Sequence, residues 1–165
     1  MRVFRFLFAL SPIVAALVAA PVLAADGLYA VATGANSVMI VDSTTITPDR
    51  TEHATAIFYE LRRDGNNARV TADFDCQGHR WRALAVHLFG VTKDGNDIWE
   101  DDIDPPPDYV DVEDGTVLRA TETFVCRWPG SVIGKAGIPD APDDPAAQML
   151  MLARSAKATF DGKKP

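Results

Sequence analysis

The chain has only two cysteines, Cys76 and Cys126, and they lie in stretches of different periodicity. The stretch before Cys76, "ARVTADFDC", alternates strictly. Val70, Ala72, Phe74 and Cys76 fall on one face of a strand, and Arg69, Thr71, Asp73 and Asp75 on the other. The stretch before Cys126, "GTVLRATETFVCRW", has a helical period. It sets Val117, Thr121, Phe124 and Trp128 on one side, with Leu118 and Val125 beside them. Thr116 reads as its N-cap and Pro129-Gly130 as its stop. A Cys76–Cys126 bond would therefore pin a helix, Thr116 to Arg127, to the end of a buried strand.

Three chemistries compete for Cys76 in "ADFDCQGHRWR". A catalytic thiol needs a base in reach, and His79 is near in sequence but falls in the turn after the strand. A structural zinc site needs four ligands. The two cysteines and three histidines (His53, His79, His87) form no short-spaced pairs, so no metal or cofactor is expected. A disulfide needs an oxidising compartment, and the first residues supply one. Arg2 and Arg5 precede an apolar run from Phe6 to Val18, and Val22-Leu23-Ala24 ends in small residues. This pattern is a secretory signal over residues 1–25. Pro12 and Pro21 and the short run argue against a membrane helix, and no cysteine near the cleavage point offers a lipoprotein anchor. The expected location is the periplasm or the medium of a Gram-negative cell. There the only intramolecular pairing is Cys76 with Cys126. It closes a loop of about fifty residues, worth roughly 4 kcal/mol in chain entropy.

Without the signal about 140 residues remain, enough for one domain with a real core. Two of the sixteen basic residues go with the signal. Fourteen against twenty-three acidic residues gives a formal charge of −9. That balance excludes nucleic-acid binding, which needs clustered Lys and Arg, and adhesion to anionic lipid.

The pattern along the chain is strand after strand. "GLYAVAT", "NSVMIVDSTTI", "HATAIFYELRR", "ARVTADFDC" and "RWRALAVHLFGVT" are separated by "TPDRTE", "DGNN" and a short turn, and "DIWEDDI" makes a sixth strand after "KDGND". This spacing predicts an antiparallel meander rather than βαβ units. "EDDIDPPPDYVDVEDG" is an acidic connector in which Pro105 to Pro107 forbid a central strand or helix. After a Gly/Pro/Asp linker, Asp144-Pro145 starts a second helix, Pro145 to Lys157, with Met149, Leu150 and Leu152 on its apolar side. The fold class is α+β: one antiparallel sheet of about six strands with a helix on one face, tethered by a disulfide, and a Pro/Gly-rich tail with a second short helix. The divisions fall at residues 1–25, 26–128 and 129–165.

Asp94, Asp97, Glu100, Asp101, Asp102, Asp104 and Asp108 crowd the acidic span of residues 94–114, but "DGNDIWEDD" is out of register with an EF-hand loop, so it reads as a solvated rim. Trp81 is expected to pack inward while Arg80 and Arg82 pair with nearby acids. No G-x-S-x-G, phosphate-binding glycine pattern or H-E-x-x-H is present.

The order of these features resembles the bacterial surface-adhesin protein E-like family. The residues that carry it are Asp42 to Ile46 ("D-x-x-[ST]-I"), Phe74 to Cys76 followed by Arg80 and Arg82, and the final helix ending in Cys126, within Gly27 to Arg127. The resemblance implies an antiparallel sheet with a disulfide-tethered C-terminal helix, and adhesion to host extracellular-matrix protein. The missing lipobox cysteine and the added tail depart from that pattern. The expectation is a non-enzymatic extracytoplasmic binding domain whose partner is an envelope or matrix protein. The alternatives are a structural envelope protein self-associating by an edge strand or the tail helix, and a metal-dependent hydrolase using the acidic span.

Overall fold

The computed structural model describes residues 27–48, 52–92, 97–129, 138, 142 and 144–161. The segment expected to be a signal, residues 1–25, Asp94 with most of the "KDGND" turn, and most of the linker after Pro129 lie outside the described residues.

Among the described residues, seven strands and two helices follow in chain order: β1 Leu28–Thr33, β2 Ser37–Pro48, β3 His53–Arg62, β4 Asn67–Asp75, β5 Arg80–Val91, β6 Ile98–Ile103, β7 Val110–Asp111, α1 Val117–Cys126 and α2 Pro145–Phe160. The sheet runs β1-β2-β3-β4-β5-β6, and every pairing is antiparallel, so it is the expected meander. The two-residue β7 pairs with the start of β5, Val110 opposite Trp81 and Asp111 opposite Arg80. It lies inside the segment the sequence reads as connector, and two residues carry no periodicity to reveal it.

Local chemistry fixes the turns. Between β3 and β4, Asp64 Oδ1 accepts the Asn66 N–H at 3.0 Å, and Gly65 takes a φ of +83° that suits glycine. Within β2 the register shifts between Asp42 and Thr47. There Asp42 Oδ1 accepts from the Thr44 N–H and hydroxyl, and Thr45 Oγ1 accepts the Ile57 N–H of β3 at 2.8 Å. The hydroxyls of the Asp42–Ile46 element thus replace ladder bonds lost at the bulge.

Each face of the sheet carries its own core. On one face Val41, Phe58, Val70, Ala72 and Phe74 pack with Phe124 and Val125 of α1. Thr116 caps that helix, its Oγ1 accepting the Arg119 N–H at 3.1 Å. The Cys76–Cys126 disulfide ties the helix end to the strand end, closing the anticipated loop of fifty. On the opposite face Leu28, Ile40, Tyr59, Leu61 and Phe89 pack with Met149, Leu152, Ala153 and Ala156 of α2. Asp144 caps α2 with Pro145 in its first turn, as the sequence predicts, and the helix runs three residues beyond Lys157. Its buried stripe uses Ala153 and Ala156, whereas Leu150 is only half-buried.

Candidate functional site

The turn that follows β4 is organised by a carboxylate. Asp75 Oδ1 accepts the Gly78 N–H at 2.7 Å, and Oδ2 accepts from the Arg80 guanidinium. A Cβ at residue 78 would collide with that carboxylate unless the Asp75 side chain shifted. His79 takes a left-handed φ of +52°. Its Nδ1 lies 2.8 Å from Oε1 of Glu122 in α1, whose side chain is only 2% exposed. Arg119 Nη1 donates to the other Glu122 oxygen at 2.6 Å, and Arg119 Nε reaches Asp114 at 3.1 Å. Cys76 and His79 are therefore not a nucleophile and base: the sulfur is bonded to Cys126, and the imidazole serves a buried carboxylate.

A second polar network covers the part of the α2-side face that α2 leaves open. Its centre is Asp73 of β4, 7% exposed. Oδ1 faces His53 Nδ1 at 3.2 Å. Oδ2 accepts from Arg82 Nε and Nη2 at 3.2 and 3.0 Å and from the Tyr109 hydroxyl at 2.5 Å. The register brings these together: His53 pairs with Asp75, and Asp73 with Arg82. Tyr109 arrives from the connector just before β7. Its ring lies under both guanidiniums, 4.7 Å from Arg82 and 5.5 Å from Arg80, a cation–π arrangement. Burial works to raise the Asp73 carboxyl, but hydrogen bonds from Tyr109, Arg82 and His53 outweigh it and hold it below the usual aspartate range. The Arg80 hydrogen bond and the Gly78 N–H hold Asp75 low as well. Burial and the Asp73 charge raise the Tyr109 phenol. Trp81 packs into the opposite core while Arg80 and Arg82 pair with acids, as the sequence reading has it. Tyr109 had no sequence signal, because its partners lie well upstream and its own segment has no period.

The acidic span becomes the outer strand. Glu100 and Asp102 of β6 flank His87 of β5, with Glu100 3.2 Å from Nε2 and Asp102 2.6 Å from Nδ1. Among the described residues no group of three or more His, Cys, Asp or Glu is arranged to hold a metal ion. Among the described residues, the exposed large apolar side chains belong to this side of the sheet: Leu84 in the β5 bulge, Trp99 and Ile103 on β6, and Val110 on β7.

The fold and this surface define an antiparallel meander between two helices, with a polar network on one face and an exposed apolar–acidic strand at one edge. Searches against family models, curated proteins and solved structures found no match. No helix among the described residues is long and apolar enough to cross a membrane.

Proposed function

We propose that this protein is an exported, non-enzymatic binding domain that engages a partner protein through the β5–β6–β7 side of its sheet. One observation carries the reading: the exposed large hydrophobics Leu84, Trp99, Ile103 and Val110 are confined to that side, beside a strand with no outer neighbour among the described residues. Exposed apolar surface of this kind marks contact sites when it is contiguous rather than scattered. The resemblance to surface-adhesin protein E-like proteins supports an envelope or extracellular-matrix protein as the partner. The disulfide in the α1-side core suits a domain working outside the reducing cytosol.

The test is retention of envelope and matrix proteins on the immobilised, oxidised protein, compared with a Trp99→Lys/Ile103→Lys variant. Both positions are exposed, so the variant keeps the cores intact. A partner held by the native protein and lost by the variant supports the reading. Equal retention, or none, removes its basis.

A further inference from the structure

The two edges of the sheet are unlike. On the β1 side, Ile138 lies against the edge and its N–H donates to the Leu28 carbonyl at 2.7 Å. On the other side, β6 pairs with β5 from Val86–Ile103 to Val91–Ile98, and among the described residues no strand pairs with its outer side. In such an edge strand alternate residues turn their N–H and C=O groups away from the sheet. The side chains beside that edge alternate in a defined way. Trp99, Asp101 and Ile103 share one face, with Trp99 37% and Ile103 45% exposed. Glu100 and Asp102 share the other, next to His87.

Charge decides what can occupy this edge. Residues opposite one another in an antiparallel pair share a face, so a second copy paired two-fold about Asp101 would set Asp101 against Asp101 and Glu100 against Asp102, and like charges directly opposite one another are unfavourable. Acidic side chains on an edge are a common protection against self-pairing. The same side chains favour a strand that carries cations at the matching positions. The net charge of −7 attracts such a strand at longer range.

Resting on the binding function proposed above, we infer that the outer edge of β6 accepts an extended cationic segment of the partner by strand addition. Lys or Arg side chains would lie opposite Glu100, Asp101 and Asp102, and apolar ones opposite Trp99 and Ile103. Backbone pairing supplies affinity, and the alternating side chains supply selectivity.

The probe is a synthetic peptide of consecutive lysines flanked on both sides by valines, titrated into the oxidised protein. Protection of β6 amides from hydrogen exchange is the readout. Two control peptides accompany it, one with glutamates replacing the lysines and one with the lysine sequence N-methylated at alternate residues. The expected result is protection confined to outward-facing β6 amides with the lysine peptide alone. Affinity should fall at least tenfold on Asp101→Lys or on N-methylation, and fall with added salt. Equal binding of the N-methylated peptide would mean charge attraction without strand pairing, and would overturn the inference. So would equal binding of the glutamate peptide, or concentration-dependent protection with no peptide, which would point to a second copy. No binding of the lysine peptide, while Trp99→Lys/Ile103→Lys still abolishes partner retention, would reject the cationic strand and leave the binding function standing. Failure of both would reject the two together.

Discussion

Tyr109 donates its hydroxyl hydrogen to Asp73, a residue 36 positions earlier in the chain. That bond joins the proline-rich connector to the middle of the sheet and covers a carboxylate that strand alternation alone would leave in water. The connector is thus held at a defined place, and the two arginines that neutralise the carboxylates are packed on the tyrosine ring.

Tyr109→Phe removes the hydrogen bond and keeps the ring. A hydrogen bond to a buried charged group is worth about 1.5–3 kcal/mol, and urea denaturation is expected to show a loss of that order. Tyr109→Ala should cost more, because it also removes the surface beneath Arg80 and Arg82. An unchanged midpoint for both variants would show that the network does not stabilise the fold.

Asp73 and Asp75 also set a direction for acid sensitivity. Both carboxyls lie lower in the folded state than the ordinary aspartate value of about 3.9. Their contribution is therefore fully present above that value and is lost as the pH falls through the lower folded values. Urea midpoints measured downward from pH 5 should begin to fall near pH 4. Asp73→Asn, less stable at neutral pH, should show a shallower acid limb.

The pair buried beneath the His79 turn should respond differently to single and double replacement. Arg119→Ala leaves the Glu122 carboxylate, 2% exposed, with His79 as its remaining partner, and a loss of about 3 kcal/mol is expected. Arg119→Met with Glu122→Leu should recover most of that loss. A double variant as unstable as the single would show that the charges themselves are required.

Cys76→Ser, Cys126→Ser and the double replacement should destabilise by similar amounts, roughly 4 kcal/mol for a loop of fifty residues. Chemical denaturation of the oxidised protein provides the comparison. Clearly additive losses would mean that the sulfurs do not act as one unit.

Leu152 is 2% exposed in the core closed by α2. Leu152→Ala should cost about 2–4 kcal/mol. Removing α2 altogether should uncover Leu28, Ile40, Tyr59 and Phe89 together, and the shortened protein is expected to bind hydrophobic dyes and lose its cooperative transition. A sharp native-like transition without α2 would show that the sheet needs only α1.

Periodicity made most of this legible. The β4 alternation assigns Val70, Ala72 and Phe74 to one core, and the 3.6-residue spacing after Thr116 places Thr121, Phe124 and Val125 against it. What stayed hidden depends on partners distant in sequence. Glu122 looks like a solvent residue until His79, 43 positions away, meets it. Asp73 and Asp75 look exposed until Tyr109 and the arginines cover them. The burial of Ala153 and Ala156 reflects close approach of α2 to the sheet, a matter of small size that a hydrophobic stripe of Met and Leu does not announce.

The second core joins Leu28, in the first strand, to Leu152, in the last helix. A chain emerging N-terminus first, from a ribosome or across a membrane, therefore cannot seal that face until α2 is free. The disulfide can form earlier, because Cys126 emerges before α2. Folding is thereby ordered in time: the α1 side can close before α2 has emerged, and the α2 side closes after it, as a latch.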